Sequence, residues 1–227
     1  MSGWATVLAS GGINHNVWVI ALAGAVSFGV PLTLAALGEI LAERSGVLNL
    51  GVEGMMLVGA VTAFLVADST HEPWLPLVAA ILAGAALAAV HAFLSITLRA
   101  NQIVSGLALV IFGSGVARFL GQPVEGKPRG AQILPLRVPG LADLPLVGRV
   151  VFQQDVLVYA TVVVTAVVAW YLIRTRPGLA LRAVGESPAT ADAAGVAVAR
   201  VRYAHVIAGG AFAGFGRSVR VALGVDG

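Results

Sequence analysis

The chain has 227 residues, 58% of them hydrophobic and 11% charged, with a formal net charge of +3 and no cysteine. Soluble domains carry about 25% charged residues, so this chain has too few charges to cover a water-facing surface. The small net charge gives no basis for a nucleic-acid partner, and the lack of cysteine excludes disulfides and thiolate metal sites.

In chain order, residues 1–16 are a weakly polar lead containing Gly11, Gly12, Asn14 and Asn16. The first basic residue is Arg44, so the apolar run that follows the lead lacks the positive flank of a secretory signal and reads as a retained span. From Val17 to Gly38 no charge appears, a run long enough to cross a hydrocarbon core of about 30 Å. Pro31 is expected to kink it, and the spacing of Ala25 and Gly29 to allow close helix approach. GEILAERSG then reads as a connection, and a second span is expected from Val47 to Ala67 with Glu53 as its only formal charge.

After the polar turn DSTHEP, a third span runs from Trp74 to Leu98 and carries a lone His91, read as packing or a helix-end contact. LRANQ separates it from a fourth span, Ile103 to Leu120, which contains Gly106, Gly113 and Gly115. Residues 121–155 are polar and proline-broken, unfit for lipid, because backbone there must satisfy its own hydrogen bonds. Val156 to Ile173 is the fifth span. Trp4, Trp18, Trp74 and Trp170 mostly fall near span ends, as interfacial anchors do.

The segment from Arg174 to Tyr203 is a basic loop with its own short helix. Ser187 is its predicted N-cap, with a hydroxyl that accepts from a free amide. Pro188 takes the first helical position, and Gly195 the left-handed residue that ends it. About two turns are too few to be stable alone in water, so this helix is expected to dock against something. A sixth span begins at His205 with Gly210 and Gly214 in GxxxG spacing. Tyr203 to Gly216 covers only about 21 Å, and Arg217 and Arg220 follow, so the chain is expected to be C-terminally truncated or frame-shifted, with 217–227 an atypical tail.

The expected fold is therefore all-α: a polytopic integral membrane protein with about five complete transmembrane helices plus a truncated sixth. Basic residues near span ends orient such proteins. Placing 174–202 inside puts Arg174, Arg176, Arg182, Arg200 and Arg202 there, with Arg44 and Arg99, and leaves 121–155 and the N-terminus outside.

Several polar residues fall in or beside the spans. A carboxylate in mid-span costs about 2.5–3.5 kcal/mol and usually faces a bundle interior or a watery cavity, which singles out Glu53. Asn49 lies four residues earlier, on the same helical face. Asn101, Gln102 and Ser105 place hydrogen-bonding groups at the head of the fourth span. Such neutral groups suit sugar hydroxyls or nucleobase edges, and equally serve as glue between helices. His91 has no partners at metal-ligand spacing, no nucleophile–base arrangement is visible, and no catalysis is expected. The single lysine, Lys127, is followed by Pro128, so the chain has no phosphate-binding GxxxxGK[ST] loop.

Three stretches, ERSGVLNLGVEGMMLVGA at 43–60, RANQIVSGLAL at 99–109 and GLALRAVGESPATADAAGVAVARVRY at 178–203, together resemble the permease subunits of bacterial ABC importers for nucleosides and simple sugars. These belong to the branch related to ribose and branched-chain amino-acid permeases. The resemblance covers about residues 20 to 216 and implies a transmembrane permease domain over 1–216, incomplete at its C-terminus. It also implies an ATPase subunit that binds the ATP, a second permease subunit, an extracytoplasmic solute-binding protein and residence in the bacterial cytoplasmic membrane, with no cofactor of the chain's own.

By the resemblance the short helix at 187–195 is a coupling helix that meets the ATPase. Gly185, Glu186, Ala189, Ala194 and Gly195 match the family's loop motif, Ser187, Pro188 and Asp192 lie within it, and Arg182 is its basic flank. An ordinary capped surface helix remains the plainer reading of the same residues. Two other readings stand beside the importer: a secondary transporter or channel with Glu53 as a proton site, and an inactive truncated fragment.

Overall fold

The computed structural model describes residues 15–70, 72, 74–122 and 154–223. Every regular element among them is helical. The long apolar runs become α1 (His15–Arg44), α2 (Val52–Thr70), α3 (Leu75–Ala92, continued by a π-helical turn Phe93–Thr97), α4 (Gln102–Gly121) and α5 (Val156–Arg174). The basic loop folds into α6 (Arg176–Glu186) and α7 (Pro188–Ala193), and α8 (Val198–Leu223) closes the described chain. Five of these, α1 to α5, hold stretches long and apolar enough to cross a membrane, and the chain is a multi-pass membrane protein. Most of the connection expected at 121–155 lies outside the described residues, as do 1–14 and 224–227.

Three boundaries differ from the sequence reading. α1 does not stop at Gly38 but runs 30 residues to Arg44, through Pro31 and through Glu39 and Glu43. The second helix begins at Val52, five residues later than expected, so Glu53 stands in its first turn and not in mid-span. There its carboxylate is exposed and complements the positive end of the helix dipole. The sixth helix does not end at Gly216: it spans 26 residues through Arg217 and Arg220, about 39 Å at a rise of about 1.5 Å per residue.

That last helix is the packing centre, and glycine is the reason. Where two helices meet through glycines their backbones touch, and packing replaces the hydrophobic driving force that lipid cannot supply. A side chain at Gly38 would strike the Gly209 carbonyl, and one at Gly216 would lie 2.7 Å from the Pro31 carbonyl, so α8 runs antiparallel along α1. Gly210 and Gly214, the predicted GxxxG pair, abut Gly84, Ala88 and Ala80 of α3 in the same antiparallel sense. A Cβ on Gly59 of α2 would sit 2.6 Å from the Gly214 Cα.

The pair Ala25 and Gly29 makes no such approach: nothing lies within 4 Å of a Cβ at Gly29, and Ala25 is exposed. Along α4, Gly113 packs on Gly54 of α2. Its outer face leaves Ile111, Phe112 and Phe119 exposed, while α5 exposes Trp170 and Ile173, surfaces suited to lipid or to another apolar chain.

Candidate functional site

Between α1 and α2 the chain abandons the helix for seven residues, Ser45 to Gly51. Burial alternates strictly along it: Ser45, Val47, Asn49 and Gly51 are buried, and Gly46, Leu48 and Leu50 are exposed. That period of two is the alternation of a chain that is not helical: Val47–Asn49 runs between turns at Ser45–Gly46 and Leu50–Gly51. Non-helical backbone inside a membrane protein must find partners other than lipid, and here the end of α1, the segment's own Asn49 and side chains from the surrounding helices supply them.

The first amides fold back on α1: Ser45 N–H donates to the Ala42 carbonyl at 3.0 Å, Gly46 N–H to Glu43 at 2.9 Å and Val47 N–H to Ala42 at 3.2 Å. Gly46 makes this turn at φ +80°, the left-handed region that glycine enters freely. Leu48 N–H donates to Gln102 Oε1 of α4 at 2.8 Å. Asn49 N–H donates to Glu39 Oε1 of α1 at 3.1 Å. Gly51 N–H donates to Asn49 Oδ1 at 3.2 Å, a local turn that delivers the chain into α2.

The carbonyl side is served by His91 and Arg202. The Leu48 carbonyl lies 3.0 Å from His91 Nε2 and can only accept, so Nε2 carries the proton and Nδ1 accepts from Ser105 Oγ at 3.1 Å. Ser95, four residues after His91 on the same helical face, stands 3.4 Å from the same Nε2. The π-helical turn begins at Phe93, and such turns re-aim side chains within a helix. Arg202 Nε–H of α8 donates to the Ser45 carbonyl at 3.1 Å. His91, expected to serve as packing or a helix-end contact, is completely buried and joins three parts of the chain.

The predicted solute-path residues thus divide. Asn49, Gln102 and Ser105 converge on the extended segment and its histidine. Asn49 is 1% exposed, and both its side-chain groups are turned to its own chain, Oδ1 to Gly51 and Nδ2 to the Met55 sulfur at 3.5 Å. Asn101 does something else: it caps α4, its side chain accepting from Ile103 N–H at 3.0 Å and Val104 N–H at 3.2 Å. Glu53 joins neither set.

The carboxylate that does enter the interior is Glu39, whose second oxygen is enclosed without a hydrogen-bond partner. Glu39 does not stand out in the sequence, because Gly38 before it resembles a helix end. The signal was the unbroken apolar spacing of Ile40, Leu41 and Ala42 beyond it. His91 and Ser95 could have been paired by their four-residue spacing. Arg202 carried no such local sign. Among the described residues no group of three His, Cys, Asp or Glu side chains converges as a metal site.

The basic loop lies at the same end of the bundle. α6 was not anticipated. Thr175 caps it by accepting from Gly178 N–H at 3.1 Å, Pro177 stands in its first turn, and it buries Leu181 and Val184. Gly178 packs on the Tyr171 carbonyl of α5. Gly185 packs on the Arg44 carbonyl, and a Cβ there would be 3.5 Å from Gly46 N.

The short helix forms where expected, with Pro188 leading and Gly195 closing it at φ +82°. Ser187 precedes it, but its hydroxyl meets Thr190 Oγ1 at 2.7 Å and makes no bond to a backbone amide. With ψ at 89°, Ser187 departs from the extended backbone of a usual N-cap. Ala191 is buried beneath the helix, while Glu186, Ala189, Asp192, Ala194 and Gly195 are exposed. Arg182 is half-buried, its Nε enclosed without a partner; with Arg44 and Leu172 it lines a cleft of about 360 Å³. A wider cleft of about 660 Å³ separates α7 from the end of the π-helical turn, lined by Pro188, Asp192, Arg99, Arg200 and Arg202 among others.

Comparison with known proteins bears on these features together. Residues 21–222 match the family described as branched-chain amino acid transport system / permease component. TsgC13 of Haloferax volcanii, provisionally named a glucose ABC transporter permease protein, is 46% identical over 81% of this chain and 56% of its own. The guanosine ABC transporter permease protein NupQ of Bacillus subtilis is 36% identical over 85% of this chain and 64% of its own. The nucleoside ABC transporter permease protein NupC of Lactococcus lactis is 34% identical over 90% and 68%. The chain therefore spans between about half and two thirds of the length of these relatives. No solved structure matches it. The match over nearly all the described helices, with its nucleoside and sugar permease relatives, agrees with the resemblance carried by the three sequence stretches. The chain belongs to the permease-component family of the branched-chain amino acid transport system.

Proposed function

We propose that the chain is a membrane-spanning permease subunit, or the larger part of one, of an ATP-driven importer that carries a nucleoside or a simple sugar across the cytoplasmic membrane. The observation that carries this reading is its similarity to three ABC permeases whose names specify guanosine, nucleosides or glucose. The partners are an ATPase subunit, which binds and hydrolyses the ATP, a second permease subunit and an extracytoplasmic solute-binding protein. The chain itself is a transport component and not an enzyme.

In this reading the arginine-rich end faces the cytoplasm, as the charge bias of inner loops requires. The exposed residues of α7 and its flanks, Glu186, Ala189, Asp192, Ala194 and Gly195, form the contact with the ATPase. Gly185 and Arg182 support that contact from beneath, against α1. The extended segment borders the solute path, with Gln102 and Ser105 as neutral polar groups beside it. Neutral hydrogen-bonding groups suit an uncharged polyol or base and hold it weakly enough to leave.

Reconstitution tests this directly. The full-length permease, with its ATPase, second permease and binding protein, is placed in proteoliposomes and offered labelled guanosine, adenosine, ribose and glucose. ATP-dependent accumulation of one class is the expected result. Accumulation that ignores ATP and collapses with the proton gradient would point to a secondary transporter instead.

A further inference from the structure

The extended segment is fastened at both ends, and the two ends belong to different machinery. At its start, Gly185 of α6 rests on the Arg44 carbonyl, and Arg202 of α8 donates to the Ser45 carbonyl at 3.1 Å. A Cβ on Gly46 would lie 3.2 Å from an Arg202 guanidinium nitrogen and 3.5 Å from the Gly185 Cα. α6 and α8 are the elements that flank α7 in the chain, so whatever displaces α7 acts on this junction from both sides. At its other end, Leu48 is held by Gln102 and His91 and Asn49 by Glu39. A Cβ on Gly51 would lie 3.3 Å from the Gly106 carbonyl.

We infer that Ser45–Gly51 is a transmission strap between the ATPase-facing helices and the polar interior, and that Arg202 is the positioning residue that fastens it to the moving side. The physical case rests on stiffness. Apart from the Gly51 N–H bond to Asn49 Oδ1, the segment's hydrogen bonds run to other elements, so its course is dictated by what grips it. Six of its seven amides have named acceptors, and the grips lie at its two ends. A shift of α8 that carries the Arg202 guanidinium draws the Ser45 carbonyl with it. The motion passes along backbone to Leu48 and Asn49 without having to deform a helix.

This inference rests on the importer reading, and the experiment separates the two. In proteoliposomes holding the complete transporter, Arg202→Met removes the donor to Ser45, and Arg202→Lys retains a cation able to reach the same carbonyl. A spin label on Leu48→Cys, exposed and introduced into a chain without cysteine, reports strap movement between the nucleotide-free and vanadate-trapped states. Expected are a complex of unchanged composition and unchanged basal ATP hydrolysis for Arg202→Met, but stimulation by loaded binding protein and solute uptake reduced at least about tenfold. The label no longer shifts on trapping, and Arg202→Lys recovers part of both signals.

Arg202→Met with wild-type stimulation, or with a label shift equal to wild type, overturns the inference. So does an Arg202→Met complex that loses its ATPase while Arg202→Lys with full occupancy shows no strap movement. A wild-type complex that never couples ATP hydrolysis to solute defeats the importer reading, and the strap's role in it falls too.

Discussion

His91 and Leu48 are 43 positions apart in the chain and 3.0 Å apart in the fold, the ring Nε2–H donating to the Leu48 carbonyl. One imidazole thus serves a backbone carbonyl on one side and the Ser105 hydroxyl on the other. If the ring is lost, the buried Ser105 hydroxyl is left without this partner. An orphaned buried polar group costs about 1–3 kcal/mol.

His91→Leu, which keeps the volume and removes both hydrogen bonds, is therefore expected to lower stability by about 1–3 kcal/mol. Ser105→Ala on that background should add little, because the hydroxyl has already lost its partner. Thermal unfolding of the two single variants and the double variant in detergent measures the coupling. Additive losses would show that Ser105 and His91 act separately.

The glycine contacts allow a paired test. Gly38→Ala and Gly84→Ala each thrust a methyl group onto a carbonyl of α8, at Gly209 and Gly210, and are expected to destabilise by about 1–3 kcal/mol as overpacking does. Gly29→Ala and Gly115→Ala meet nothing within 4 Å and should be neutral or stabilising by up to about 1 kcal/mol, the usual gain of alanine over glycine in a helix. Melting temperatures that do not separate the two pairs would refute α8 as the packing centre.

How much of this was legible in the chain follows from the same residues. Span existence, the short helix between Pro188 and Gly195, and the Gly210/Gly214 contact were all readable, because apolar length and glycine spacing act locally. The end of α1 was not, since Gly38 resembles a terminus and serves instead as the place where Gly209 approaches. Gly29 and Gly38 look alike in sequence and differ only in what lies opposite. The same holds for the polar residues. Asn101 and Gln102 are neighbours, yet one caps its own helix and the other reaches Leu48 across 54 positions. Nothing local decides which.

Asn101 yields a discriminating experiment of its own. As an N-cap it contributes about 1 kcal/mol, lost on Asn101→Ala and largely kept on Asn101→Asp or Asn101→Ser. Solute preference in uptake assays should be the same in all three. A change in which solute is transported would restore Asn101 to the path and overturn its assignment as a cap.

Gly195 tests the shape of the exposed helix. Its φ of +82° disfavours a side chain by about 1–2 kcal/mol, although no atom lies within 4 Å of the space a Cβ would fill. Gly195→Ala should therefore disturb only the local turn, leaving the bundle's melting temperature within a few degrees of wild type. Capture of the ATPase by the tagged permease is expected to fall several-fold. Gly195→Asn, which tolerates this conformation better, should keep most of it.

The alternation of buried and exposed residues between Ser45 and Gly51 fixes the length of that stretch more tightly than its composition. Deleting or adding a single residue reverses the phase, turning Leu48 and Leu50 inward and Asn49 outward, away from Glu39. A change of two residues restores the phase. Substitution at Leu48 or Leu50 leaves every backbone grip in place, whereas the residue count is held as firmly as the tooth count of a gear.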